Sequence, residues 1–186
     1  VKAVEQFGLP GDAARWGGLR DKIHDDICTR GFNTARGAFT QFYESEKLDA
    51  SLLMMPLVGF LPADDPRVRG TIEAIERELT HDGLVHRYHP EKSASIDGLP
   101  PGEGTFLPCS FWLVDCLALL GRGDDARRLF EGLLEKASPL GLLAEEYDSE
   151  RTRLVGNFPQ AFTHIGLVNS AQNLASAGPA DQRSHT

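Results

Sequence analysis

The chain has 186 residues, is 41% hydrophobic and 25% charged, and carries a formal net charge of -8. That size and apolar content suffice for one domain with a buried core, while an acidic balance without clustered Lys and Arg argues against a nucleic-acid partner. No stretch reaches the roughly 20 continuous apolar residues of a membrane span, no secretory signal opens the chain, and an odd count of cysteines without metal spacing (Cys28, Cys109, Cys116) reads as reduced, buried thiols in a cytoplasmic setting.

The opening Val1-Lys2-Ala3-Val4-Glu5-Gln6-Phe7 reads as the tail of a helix, as in a piece of something longer. Asp12 to about Thr29 follows Pro10-Gly11 and sets Trp16, Leu19, Ile23 and Ile27 on one stripe, which predicts an amphipathic helix. Leu48 to Phe60 is apolar on nearly every side. Asp65-Pro66 is a helix start, and the helix runs to Thr80 with Val68, Ile72, Ile75 and Leu79 inward. Thr105 to Leu120 is again apolar nearly all round and stops at Gly121. Asp124 to Lys136 is amphipathic, and a last helix spans about Gln160 to Ala175. The polar tail from Ser176 to Thr186 predicts disorder.

Charged, one-sided helices therefore alternate with helices that are apolar on most faces. A helix without a polar face needs cover all round, so the alternation implies two layers, amphipathic outside and apolar inside. Inner-to-outer links are short. Outer-to-inner links are long, polar and open alike: Gly31-Phe32-Asn33, Gly83-Leu84-Val85, and Gly141-Leu142-Leu143. This is a degenerate repeat of about fifty to sixty residues, one helical hairpin and a decorated loop per unit. Repeated hairpins fit an open solenoid or a closed toroid, and inner helices that need cover favour the toroid. The hairpins here amount to about half of a six-hairpin ring, whose inner faces would form a large exposed apolar patch.

The long loops all lead to the N-terminal ends of the inner helices, where free N–H groups and the helix dipole favour carboxylates and hydroxyls. Arg87, Tyr88, His89 and Glu91 come from one loop, Glu103 precedes the fourth helix, and Glu145, Glu146 and Tyr147 come from another. A carboxylate there can deprotonate water, yet Glu-Glu in a loop is a solvated pair in most proteins, and spacing alone does not lift Glu145 above that reading. Glu103 suits either a helix cap or a pocket. Trp112 lies on an apolar helix face and reads as core. His89 and His164 lack metal-ligand spacing and read as polar pocket or packing residues, and no cofactor is expected.

Three ordered stretches carry a resemblance: Glu103 to Asp115, Gly141 to Asp148, and Gly156 to His164, with Leu48-Asp49-Ala50-Ser51-Leu52-Leu53 in the same pattern. They resemble glycoside hydrolase family 15, the glucoamylases and the glucoamylase-like and trehalase-like enzymes of bacteria. The resemblance covers nearly the whole chain except its tail. It implies an (α/α)6 barrel, of which this chain is the C-terminal half, and inverting hydrolysis of α-glucosidic bonds in an α-glucan oligosaccharide or a trehalose-like small substrate. Inversion needs one carboxylic acid for the leaving oxygen and one carboxylate to activate water. The resemblance gives the base role to Glu145, sugar contacts to Arg87 and Tyr88, and a neighbouring sugar or base contact to Glu146. Thr105 stands where fungal glucoamylases carry a tryptophan, so their aromatic platform does not transfer. The family's general acid lies N-terminal to everything in this chain, so the expected partner is the remaining half of the same polypeptide, and the chain alone is expected to be inactive. A trehalase is the alternative within the family. A helical-repeat scaffold without chemistry is the alternative outside it, with its polar residues along a concave surface rather than at one end.

Overall fold

The computed structural model describes residues 1–89 and 104–176. Local chemistry sets most helix ends. In the helix α2 (Ala13–Arg30), after the short α1 (Lys2–Phe7), the cap Asp12 accepts the Arg15 N–H at 2.9 Å. Asp65 does the same for Arg67 at the start of α4 (Pro66–Leu79), with Pro66 in the first turn. The remaining helices are α3 (Met54–Leu57), α5 (Leu107–Leu119), α6 (Gly123–Leu134) and α7 (Ala161–Ser176).

Two expectations change. The helix expected over Leu48 to Phe60 is a 3-10 turn (Ala50–Leu53) running into the one-turn α3. Pro56 explains the break: it has no N–H for the bond back to Leu52, so a helix can only restart with Pro56 in its first turn. The second difference is β structure, which the periodicity did not announce. The pairs β1 (Phe32–Asn33) with β2 (Ala38–Phe39), and β3 (Thr80–His81) with β4 (Leu84–Val85), are antiparallel hairpins. The latter turns on Asp82 and Gly83, both at positive φ (51° and 74°), the geometry of a hairpin turn whose twist matches its strands. A three-stranded sheet joins β5 (Thr105–Phe106), β6 (Glu146–Asp148) and β7 (Arg153–Val155) in that order. Thr105 and Phe106 are thus extended by pairing, and the helix expected from Thr105 begins at Leu107.

The layers are clear around α5. Eleven of its residues are buried, among them Phe111, Val114 and Cys116 at 0% exposure. It packs on α6 and α7, and reaches α3, the 3-10 turn and β4. α7 approaches closely because its buried positions, Thr163, Gly166, Ser170 and Leu174, are mostly small and recur at helical spacing. A Cβ on Gly166 would lie 3.0 Å from the Cβ of Phe111. The interface also carries polar bonds, Ser170 Oγ to the Phe111 carbonyl at 3.2 Å and Asn173 Nδ2 to Asp115 Oδ1 at 3.0 Å. Burial pushes the Asp115 carboxyl above the usual range. α4 and α6 turn charged faces outward and are tied by Arg122, which pairs with Glu76 at 2.6 Å and Asp125 at 2.7 Å.

Open apolar faces remain at both ends of the chain. α2 has no buried residue: Ile27 and Cys28 pack against the core, but Trp16, Leu19 and Ile23 are 44%, 53% and 51% exposed. On α7 the outer face shows Phe162, Ile165 and Val168, at 46%, 56% and 61% exposure. Cys109 and Cys116 are buried thiols as expected, whereas Cys28 is half-buried. Trp112 packs against the core cluster. No helix among the described residues is long and apolar enough to cross a membrane. The tail beyond Ser176 lies outside the described residues, as do Glu91 and Glu103.

Candidate active site

The first turn of α5 is where the decorated loops meet. Its Leu107 N–H, a free donor of the helix start, bonds to the Glu145 carbonyl at 3.0 Å. Ser110 Oγ, in the same turn, accepts the Val85 N–H at 2.9 Å. Through these two bonds one helix end holds both the Glu145 strand and the strand leading into Arg87. Cross-links complete the rim: Thr105 Oγ1 lies 3.4 Å from His86 Nε2, and the Arg87 carbonyl accepts the Ala50 N–H at 2.7 Å at the start of the 3-10 turn. Arg87, Glu145 and the start of that turn therefore share one end of the hairpin array.

Glu145 and Glu146 bond in different directions, as adjacent residues of an extended segment should. Glu145 Oε2 accepts two bonds from one residue, the backbone N–H of Asn157 at 3.1 Å and Asn157 Nδ2 at 2.8 Å. The Glu145 N–H returns a bond to the Asn157 carbonyl at 2.9 Å. Beneath the carboxylate lies Gly156, at φ 75°, where a Cβ would sit 3.1 Å from Glu145 Oε2. A residue with a side chain is disfavoured there both by the left-handed backbone and by the contact. Glu146 Oε2 instead accepts the Gly104 N–H at 3.0 Å, and Phe106 is the Cα partner of Glu146 across the ladder. Tyr147, the next residue along the strand and the partner of Thr105, is buried, with Lys136 Nζ 5.2 Å from its ring centroid.

On the other loop, Arg87 is exposed and Tyr88 half-buried, with the guanidinium carbon 5.9 Å from the tyrosine ring centroid. Arg87 is also near enough to Cys109 to act on that thiol electrostatically, although burial is the larger influence and pushes the thiol upward. His89 lines a cavity of about 450 Å³ with Arg36, Phe42, Lys47 and Glu78. Burial, then the positive potential of His81, hold His86 below the ordinary histidine range.

Two positions that hold the Glu145 segment escaped the sequence reading. Asn157 carries no signal by itself, because its contact with Glu145 spans twelve residues and forms only when β7 folds back on β6. His164, read as pocket or packing, is a brace. Its Nε2 accepts the Leu143 N–H at 3.3 Å, and its Nδ1 lies 2.7 Å from the Gln160 carbonyl, which assigns the proton to Nδ1. Leu143 and Gln160 are bonded directly as well, so α7 clasps the segment entering Glu145. Among the described residues no group of three or more His, Cys, Asp or Glu could hold a metal ion.

A mainly helical array with short strands and a carboxylate at one end is an arrangement that many sugar-cleaving and sugar-binding proteins could share. The family decides among them: residues 1–172 match the model for glycosyl hydrolases family 15, and the chain belongs to that family. It is 49% identical over 177 residues to a trehalase of Mycobacterium tuberculosis, covering 95% of this chain and 26% of that protein. It is 40% identical over 177 residues to a trehalase of Thermoplasma acidophilum, covering 95% of this chain and 30% of that one. The chain thus spans between a quarter and a third of the length of these relatives. In fold it is similar to a wild-type glycosidase, with TM-score 0.74 and 23% identity over 88% of this chain and 45% of that chain. A glutamate-to-alanine variant of a glycosidase in complex with glucose aligns with TM-score 0.72 and the same coverage.

Proposed function

We propose that this chain is the base-bearing part of an inverting glycoside hydrolase whose substrate is trehalose, within an (α/α)6 toroid that a further part of the polypeptide completes. Residues 1–175 are then the C-terminal part of the catalytic domain. The observation that carries the reading is the anchoring of Glu145: its carbonyl is tied to the first turn of α5, and its carboxylate is held by Asn157 at the rim that also carries Arg87.

In this reading Glu145 takes a proton from a water molecule as that water attacks the anomeric carbon. A carboxylic acid from outside this chain protonates the leaving oxygen. Arg87 and Tyr88 bond sugar hydroxyls, and Glu146 lines the pocket beside the base, its orientation set by the Gly104 N–H. Glu103, outside the described residues, remains a candidate from the sequence alone. Trehalose is favoured over the glucoamylase-like α-glucans first expected, because the similar relatives bear the name trehalase at up to 49% identity. The alternative of a helical-repeat scaffold is disfavoured by the family and by polar residues gathered at one end.

The test uses the intact protein that carries this chain, with trehalose and maltose side by side. Trehalose cleavage is expected to release one β-glucose, from the residue that water attacks, and one α-glucose, the leaving residue, in each turnover. The substitution Glu145→Gln is expected to lower kcat by about 10²–10⁴-fold, the usual cost of losing a positioned base. Cleavage of maltose with none of trehalose would return the substrate to the glucoamylase class. An undiminished rate in Glu145→Gln would remove the base assignment.

A further inference from the structure

Asn157 binds Glu145 in an asymmetric way. Both of its donors, the backbone N–H and Nδ2, go to Oε2, at 3.1 Å and 2.8 Å, and its carbonyl holds the Glu145 N–H at 2.9 Å. Among the described residues no donor reaches Oε1. The two oxygens of this carboxylate are therefore not equivalent. Oε2 is committed to the protein, and Oε1 keeps its lone pairs for something else. The floor under the pair is also shaped for it, since Gly156 leaves the space that a Cβ would take 3.1 Å from both Oε2 and the Glu145 Cβ.

We infer that Asn157 is a positioning residue for the hydrolytic step, fixing Glu145 so that Oε1 alone accepts the proton of the attacking water. The inference rests on Glu145 being the base. In that step the water oxygen bonds to the anomeric carbon, the water proton passes to Oε1, and the glycosidic C–O bond breaks, its electron pair leaving with the oxygen that the separate acid protonates. Rotation of the carboxylate about its terminal bond would carry Oε1 away from the water. The paired donors on Oε2 oppose that rotation, and the Gly156 surface limits the alternatives. Small misplacements of a reacting group are expensive, of the order of 10²-fold for about 1 Å. Asn157 touches no reacting atom, so its effect falls on kcat rather than on substrate binding.

The test compares Asn157→Ala, Asn157→Asp and Glu145→Gln in the intact protein with trehalose, reading kcat, KM and the thermal midpoint. Asn157→Ala is expected to lower kcat by about 10–100-fold with KM within about twofold. Asn157→Asp keeps the shape but replaces the donor with a like charge, and is expected to lower kcat further at an unchanged KM. A purely structural role gives the opposite order, with the isosteric aspartate milder than alanine. That order, a wild-type kcat in both variants, or a loss of folding in both would overturn the inference. If Glu145→Gln turns over at the wild-type rate, the base assignment itself has failed. If Glu145→Gln is inactive while both Asn157 variants match wild type, only the role of Asn157 falls.

Discussion

α5 and α2 are both helices that the sequence marks plainly, and they end in opposite situations. α5 has eleven buried residues and is covered by α6, α7, the 3-10 turn and β4. α2 has a correct cap and a clean apolar stripe but no buried residue. The difference shows what an apolar stripe does and does not say. It identifies a face that seeks cover, while the cover itself comes from other elements. For α2 the described residues supply it only toward the C-terminal half, where Ile27 and Cys28 pack on the core and His24 meets the Phe60 ring. The site follows the same division, since Glu145 and the strand leading into Arg87 are both fastened to the first turn of the covered helix.

The largest expected contrast is in the core. In the chain of residues 1–186, Phe111→Ala removes a ring at 0% exposure that packs on Phe130 at 6.2 Å and on Gly166. It should cost about 3–5 kcal/mol in denaturant unfolding, whereas Leu19→Ala on α2 should stay within about 0.5 kcal/mol. Equal costs would break the comparison. Next, Gly156→Ala places a side chain at φ 75° against Glu145 and should cost about 1–2 kcal/mol of backbone strain, together with a fall in kcat that Gly83→Ala, also at positive φ but with open space around it, does not share.

Capping gives a smaller and sharper contrast. Asp65→Ala should lower global stability by about 1 kcal/mol, because α4 is packed along its length. Asp12→Ala breaks a bond of the same kind, but should show chiefly as faster amide exchange within α2. Arg67 beside Asp65 holds that carboxyl below its usual range. Its contribution is therefore present above the ordinary aspartate pKa and is lost as pH falls through the folded value, and Asp65→Ala should flatten that acid dependence. Asp115 has the opposite sign. Its pKa is raised by burial, so its contribution is greatest below the unfolded pKa and declines as pH rises through the folded one. Asp115→Asn should accordingly raise Tm slightly at neutral pH, with the gain shrinking in acid.

Much of this arrangement was legible in the residues. The Asp65-Pro66 start, the apolar circumference of Leu107 to Leu119 and the alternation of short and long links are local signals, and the helices and their layering follow them. The rim was legible as a gathering of loop openings after Gly31, Gly83 and Gly141. The strands were not, because each is only two or three residues long and exists through pairing across distances such as Thr105 to Tyr147. The break at Pro56 carried a local signal that the apolar run around it masked. Glu145 stood out through the resemblance rather than through spacing, and Asn157 and His164 acquire their roles only when β7 and α7 return to the Glu145 segment.

The central claim, that Glu145 activates the attacking water, is tested most directly by anion rescue. In Glu145→Ala of the intact protein, α-glucosyl fluoride should react only slowly with water. Added azide should occupy the vacated space and restore turnover by forming β-glucosyl azide, with Glu146→Ala giving no such product. Azide without effect on Glu145→Ala, or β-glucosyl azide from Glu146→Ala instead, would contradict the account.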